Sequence, residues 1–310
     1  MIKKETFDNL YKEVGKVVVG QKDVVEQILI TILCDANALL EGYPGLAKTL
    51  AIKTMSDLMD LKFSRIQNTP DLMPSDITGT YIIEEVSGKR SFKFQPGPIF
   101  ANIVLADEIN RATPKTQSAL LEAMQEKQVT VGNKTFELDK PFFVLATQNP
   151  IEQEGTYPLP EAQSDRFLLK INVSYPSYDE EVEIVDKYAF QNIEKNVKTI
   201  LNKPDLIRMQ SLVRQVPIAN DLKRRIVKIV SETRKNPNLI EYGASPRASI
   251  GLVLASKARA IVKGRKYVSK EDIDAMAYPV LRHRIILNFE AERKGMKTDD
   301  AIKEILNKVK

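Results

Sequence analysis

Residues 38–55 read ALLEGYPGLAKTLAIKTM. A short apolar run enters Gly42-Tyr43-Pro44-Gly45, and Lys48-Thr49 then open a segment of helical pattern. Such a stretch is either a strand-to-helix turn rich in small residues or a loop that holds a phosphate. A phosphate loop needs a glycine, four residues, a second glycine, a lysine, and then serine or threonine. Its backbone N–H groups surround the phosphates, the ammonium offsets β/γ charge, and the hydroxyl ligates Mg²⁺. Gly42 to Thr49 fits that pattern, except that Ala47 stands where the last glycine would be. At a helix start alanine has an acceptable backbone, so its extra methyl is expected to cost nucleotide affinity and not the fold.

Outward from this loop, short apolar strands alternate with helical stretches. The strand candidates are NALLEG at 37–42, KFSRIQ at 62–67, NIVLAD at 102–107, PFFVLAT at 141–147 and FLLKINV at 167–173. Between two of them TPKTQSALLEAMQEK, at 113–127, puts Ala119, Leu120, Ala123 and Met124 on one helical face. Strands alternating with helices imply a parallel sheet covered on both sides, with ligands at the carboxyl ends of the strands. Two segments read as hairpins inserted into this scheme: 80–98, turning at Ser87-Gly88, and 127–139, turning at Gly132-Asn133. After Pro176 strand signals almost vanish, and helical patterns such as LKRRIVKIVSETRKN and SKEDIDAMAYPVLRHRI take over. Ser269 with Asp272 three residues on reads as a capped helix start. The chain is therefore expected to divide at residue 176, into an α/β unit over 1–176 and a helical unit over 177–310.

Several residues could act on a phosphate held by the loop. NIVLAD runs straight into Asp107-Glu108, two acids at a buried strand end that are costly there unless they meet a cation. The first can hold Mg²⁺ through water, and the second can polarise a water for attack on a γ-phosphate. FFVLATQNP ends a strand at Asn149, whose amide could orient that water. Arg166 precedes FLLKI, and Arg247 opens a helix in the C-terminal part. Arginines supplied in cis or by a neighbour stabilise charge in phosphoryl transfer.

Composition narrows the classes. With 310 residues, 43% hydrophobic and 28% charged, the chain suits a soluble protein of about two domains. MIKKETFDNLYKEVG does not resemble a secretory signal, and ILITIL at 28–33 is far too short for a membrane span. A single cysteine, Cys34, allows no internal disulfide, which fits a reducing cytoplasm. With one histidine, His283, a Cys/His zinc site is excluded; VLRHRI offers His283 no catalytic partner, so it is expected to be structural or on the surface. Residues 1–200 carry 22 Lys+Arg against 29 Asp+Glu, and residues 201–310 carry 24 against 12. The basic C-terminal part suits either nucleic acid or an acidic face of another copy, and no aromatic-interleaved motif favours nucleic acid.

Taken in order, EGYPGLAKT, LADEINRA, LATQNP, EAQSDRF and GASPR resemble an AAA+ ATPase, most closely the MoxR group. VVVGQKDVVEQ at 17–27 and TPDLMPSDITGT at 69–80 resemble that group too. The resemblance implies a P-loop core, a parallel five-stranded sheet between helices, followed by an all-helical lid. It implies a Mg²⁺-dependent ATPase binding ATP and ADP. Gly42, Tyr43, Pro44, Gly45, Leu46, Ala47, Lys48 and Thr49, with the adjoining Leu50, would be Walker A. Asp107-Glu108 would be Walker B, Asn149 sensor 1, Arg247 sensor 2, and Arg166 an arginine finger reaching the next subunit. Thr49 and Asp107 would hold the metal, and Val19-Gly20-Gln21 would lie near the adenine. The hairpins would be the helix-2 insert and the pre-sensor 1 hairpin, and Arg111 a further inter-subunit candidate. ATP would sit between the α/β unit and the lid of one subunit in a cytoplasmic hexamer. Chaperone-like remodelling of protein complexes is implied, often with a von Willebrand factor A domain partner. A nucleic-acid motor of the same fold is the alternative.

Overall fold

The structure, a computed structural model, describes residues 4–86, 89–150, 155–190 and 197–309. Helices α1 (Lys4–Gly15) and α2 (Lys22–Leu33) precede β1 (Ala38–Glu41), and α3 (Lys48–Leu58) follows it. Then come β2 (Phe63–Gln67), α4 (Pro74–Thr78), β3 (Gly79–Val86), β4 (Lys89–Pro96), β5 (Ile103–Asp107), α5 (Pro114–Glu126), β6 (Gln128–Val131), β7 (Lys134–Glu137), β8 (Phe143–Gln148), α6 (Glu161–Ser164) and β9 (Leu169–Asn172). All five expected strands pair in one parallel sheet, in the order β2-β5-β8-β1-β9.

Period-two alternation assigns each strand residue to a layer. Ile103 and Leu105 of β5 join a cluster with α2, α3 and the C-terminal helices, whereas Val104 and Ala106 join Leu120, Leu121 and Met124 of α5 on the other face. With both faces covered, β5 is apolar throughout until it reaches Asp107. The face of α5 is close to the expected one: Leu120, Ala123 and Met124 are buried, Leu121 joins them, and Ala119 is half-buried.

Both hairpins form. Strands β3 and β4 pair from Gly79↔Pro96 to Val86↔Lys89, and their expected turn at Ser87-Gly88 lies outside the described residues. Strands β6 and β7 close at Gly132-Asn133, where Gly132 has φ 64°, a value glycine adopts without strain.

The C-terminal part is helical: α7 (Tyr178–Phe190), α8 (Lys203–Gln215), α9 (Asn220–Thr233), α10 (Pro246–Val262), α11 (Lys270–Leu281), α12 (Phe289–Arg293) and α13 (Thr298–Lys308). One antiparallel pair, β10 (Ile240–Tyr242) with β11 (Ile286–Leu287), interrupts it and carries no pattern legible in the sequence. Ser269 and Asp272 form the expected capping box. Asp272 is fully buried and accepts from Arg259 at 2.7 Å and also from Arg265, so its charge is compensated. Alanines 248, 255, 258 and 260, with Gly251, make α10 narrow enough to pack centrally. A Cβ on Gly251 would stand 3.0 Å from Leu168 Cδ1, so this glycine lets α10 close on the start of β9.

Candidate functional site

The loop after β1 is fixed by two glycines. A Cβ on Gly42 would meet Val173 O at 2.6 Å, so only glycine lets the loop pass the end of β9. Gly45 has φ 83°. Leu46 is buried and joins the core cluster that includes Ala51 and Ile52 of α3, so its side chain anchors the loop. Ala47 also lies in the left-handed region, at φ 56° and ψ 19°. This corrects the expectation of an ordinary helix-start backbone, since an L-residue is strained there by roughly 1–2 kcal/mol. Ala47, the N-cap of α3, has no side chain that could cap it, so the N–H groups of the first turn face a positive helix terminus.

Lys48 folds back onto the loop and donates to the carbonyls of Gly42 and Tyr43. Partial burial pulls its pKa below the ordinary 10.5, while Asp107 and Glu108 push it back up. At the end of β5, Asp107 Oδ1 accepts from Thr147 Oγ1 at 2.6 Å, and Oδ2 accepts from Arg65 Nη2 at 2.6 Å and Nε at 3.1 Å. Glu108 occupies φ 54°, ψ 54°, a strained backbone for a glutamate, and its N–H donates to Thr147 Oγ1 at 2.9 Å. Its Oε2 accepts from Arg111 Nη1 at 2.9 Å and from Gln67 Nε2 at 3.5 Å, and Gln67 in turn accepts from Arg65 at 2.6 Å. The two acids are thus held apart, each by its own arginine.

These groups surround one cavity of about 430 Å³ at the carboxyl ends of the strands. It is lined by Pro44, Gly45, Leu46, Ala47, Lys48, Thr49 and Leu50 of the loop, and by Asp107, Glu108 and Asn149. Arg65, Gln67, Thr147 and Gln148 complete the lining, and none of these four is singled out by the sequence. Arg65 and Gln67 reach the site because β2 pairs with β5 in the register Gln67↔Asp107, which nothing local reveals. Thr147 and Gln148 stand beside Asn149 in FFVLATQNP, so only their neighbourhood signals them.

Val19, Gly20 and Gln21 lie away from that lining, on the side of α7. Gln21 Nε2 donates to Ser174 O at 3.2 Å, and a Cβ on Gly20 would meet the Glu180 carboxylate at 2.8 Å. Close by, Tyr43 stacks on Tyr175 with centroids 5.4 Å apart.

Arg166 and Arg247 stand elsewhere. Both line a second cavity, of about 330 Å³, with Asp35, Asn37, Asp165 and Arg284. Asn37 and Arg166 precede β1 and β9, so this cavity is at the amino ends of the same parallel strands. Strands of four to six residues, at about 3.3 Å each, separate the two faces by roughly 13–20 Å. Among the described residues, none beyond Asn149 lines the phosphate-loop cavity. The expectation that Arg247 stands at this chain's own phosphate-loop cavity is therefore corrected, whereas α7 of the C-terminal part lies beside Gly20. Helix α10 and the turn after α11 dock at the amino ends, through Gly251 on Leu168 and Arg284 on the carbonyls of Asp165, Phe167 and Leu168. Arg111 pairs within its own chain, with Glu108. His283 is buried as a structural group, with Nε2 2.9 Å from Phe167 O.

Some of the basic C-terminal residues are engaged within the chain. Arg259 and Lys263 pair with Glu26, Arg225 with Asp274, Arg282 with Asp299, and Lys308 with Glu232. Among the described residues no helix is long and apolar enough to cross a membrane.

The profile of the ATPase family associated with various cellular activities (AAA) matches residues 37–169, and that of the AAA lid domain matches residues 232–305. Chaperone MoxR1 of Mycobacterium tuberculosis is 45% identical over 98% of this chain and 82% of its own length. Protein MoxR of Paracoccus denitrificans is 31% identical over 90% of this chain and 89% of its own. The crystal structure of a putative ATPase from Cytophaga hutchinsonii superposes with a TM-score of 0.92 at 47% identity, covering 99% of this chain and 95% of that one.

Proposed function

This chain belongs to the MoxR family of AAA+ ATPases, and from that premise we propose that it works as a Mg²⁺-dependent homohexameric ring that remodels protein complexes in the cytoplasm. Residues 1–176 would form the nucleotide-binding unit and 177–310 the lid. The observation that carries the reading is the split between the two ends of one sheet. The carboxyl-end cavity offers everything needed to hold and cleave a triphosphate except arginines free of its own acids. The amino-end face offers Arg166 and Arg247, with no phosphate loop of its own. A ring joins the two by bringing one subunit's arginines to its neighbour's cavity.

In this reading the N–H groups of residues 45–49 bind the phosphates and Lys48 turns from the loop carbonyls to the β/γ oxygens. Glu108, released from Arg111, accepts the proton of the attacking water, which Asn149 orients. The donor set fits magnesium, because Thr49 and Asp107 supply hard oxygens and Mg²⁺ takes its remaining ligands from phosphates and water. When bound, the ion neutralises phosphate charge. Val19, Gly20 and Gln21 would flank the adenine beside Tyr43 and Tyr175. The β3–β4 and β6–β7 hairpins would meet a protein client, and a von Willebrand factor A domain protein would be the partner.

Phosphate release by purified protein tests the chemistry. Glu108→Gln should bind ATP and release no phosphate; release at the wild-type rate would reject the assignment. Subunits carrying Arg166→Ala, mixed with subunits carrying Lys48→Ala, should regain activity that neither has alone.

A further inference from the structure

Arg284 stands in the turn that follows α11, with its side chain 4% exposed. It donates to Asp165 Oδ1 at 2.7 Å, Asp165 O at 3.1 Å, Leu168 O at 3.0 Å, Phe167 O and Val280 O. One guanidinium thus ties the segment ahead of β9 to a helix of the lid. Asp165 is the residue next to Arg166. Its second oxygen accepts from Ser245 Oγ at 3.0 Å, and Arg247 Nη1 stands 3.6 Å away. Ser245 and Arg247 both belong to the start of α10. Asp165 is therefore next to Arg166 in the chain and beside Arg247 in space, both lining the amino-end cavity.

We propose that Arg284 is a positioning residue for both: by neutralising Asp165 it fixes the Arg166 segment and leaves Arg247 loosely held and transferable to a neighbour's phosphate. The inference rests on the trans reading above. Its physical core is a competition for Asp165. A half-buried carboxylate needs a cation, and Arg284 meets that need with a charge-assisted bond at 2.7 Å. At 3.6 Å Arg247 adds attraction without a formed hydrogen bond. Without Arg284, Asp165 would draw in Arg247, the cation already beside it, and the Phe167 and Leu168 carbonyls would lose their guanidinium donor. Lysine cannot replace it, because a single ammonium lacks the planar fork that spans the Asp165 carboxylate and four backbone carbonyls.

The test uses full-length subunits. Arg284→Lys should lower kcat for ATP hydrolysis by about 10–100-fold, as misplacing a group by about 1 Å does, with KM within about twofold because the phosphate-loop cavity lies at the other strand ends. Mixed with Lys48→Ala subunits, which keep intact arginines, Arg284→Lys subunits should regain activity. Mixed with Arg166→Ala subunits they should not, since both donate poorly. A purely local structural role would not give this pattern. Ser245→Ala, a half-buried position at a helix start, removes one bond to Asp165 and guards against misfolding. It should lower kcat by about threefold with KM unchanged and show the same rescue. A raised KM at constant kcat, or no rescue by Lys48→Ala while the Arg166→Ala and Lys48→Ala mixture recovers, overturns the inference. Silence in both mixtures overturns the trans reading itself.

Discussion

The two ends of the central sheet hold their charges differently. At the carboxyl ends, Asp107 and Glu108 protrude beside a helix terminus with no side-chain cap, each balanced by one arginine of the same unit. At the amino ends a single acid, Asp165, serves Arg284, Ser245 and Arg247 together. The first arrangement presents two acids beside an open helix terminus, and the second gathers cations around one acid. Parallel strands keep the two faces of one subunit apart, so on the proposed reading one copy of the chain supplies only half of each working site.

The comparison breaks most visibly at Arg166. Arg166→Ala should lower ATP turnover by about 10³-fold, the lower end of what a transition-state arginine contributes, while leaving ATP affinity almost unchanged. Steady-state phosphate release and calorimetry separate the two quantities. A large loss of affinity with turnover intact would mean that Arg166 holds its own subunit's nucleotide.

At the other end Gly42→Ala is the sharper break. The added Cβ would stand 2.6 Å from Val173 O and 2.9 Å from Val173 Cβ, so the loop must shift away from β9. Stability should fall by about 1–3 kcal/mol, as in other overpacked sites, and ATP affinity by about tenfold or more. Denaturant titration and nucleotide binding read these effects. Unchanged affinity would show that the loop's position on β9 does not matter to the ligand.

How far these ends are legible depends on the range of the interactions. The five strands, both hairpins, the α5 face and the Ser269 cap follow from local periodicity and turn chemistry, and all are found. Asp107, Glu108 and the phosphate loop are legible because each lies in one continuous stretch. Arg65 and Gln67 are not, since they approach Asp107 and Glu108 only through the pairing of β2 with β5. The position of Arg247 escapes the sequence for a similar reason. A helix start beginning with arginine does not tell which strand ends the helix docks on; that is decided by Gly251 against Leu168 and by Arg284 at Asp165.

His283 sharpens the comparison through pH. Its ring is buried at the amino ends, with Nε2 against Phe167 O and Nδ1 without a partner among the described residues. Burial, with Arg284 nearby, holds its pKa well below the ordinary 6.5. The folded form therefore stays neutral below pH 6.5 while the unfolded form takes up a proton. Stability from this group is complete above about pH 7 and falls as the pH drops through 6.5, by at most about 1.4 kcal/mol per unit. Between pH 7 and pH 5 the wild type should lose up to about 2 kcal/mol more than His283→Gln, whose amide can still donate to Phe167 O. Equal losses in the two proteins would show that His283 ionises freely in the fold.

The smallest expected effect is at Ala47, where the two ends can be told apart by what a methyl group does. Its φ of 56° costs an L-residue roughly 1–2 kcal/mol, and glycine removes that cost. Glycine also gives the unfolded chain more freedom, which offsets about 0.5–1 kcal/mol. Ala47→Gly should therefore stabilise the protein by about 0.5–1 kcal/mol, a rise in Tm of about 1–3 °C for a chain of this size. If the methyl only strains the backbone, ATP affinity in the variant stays as it was. If affinity rises while Tm does not move, the methyl meets the phosphate, and the cost of this alanine falls on the ligand and not on the fold.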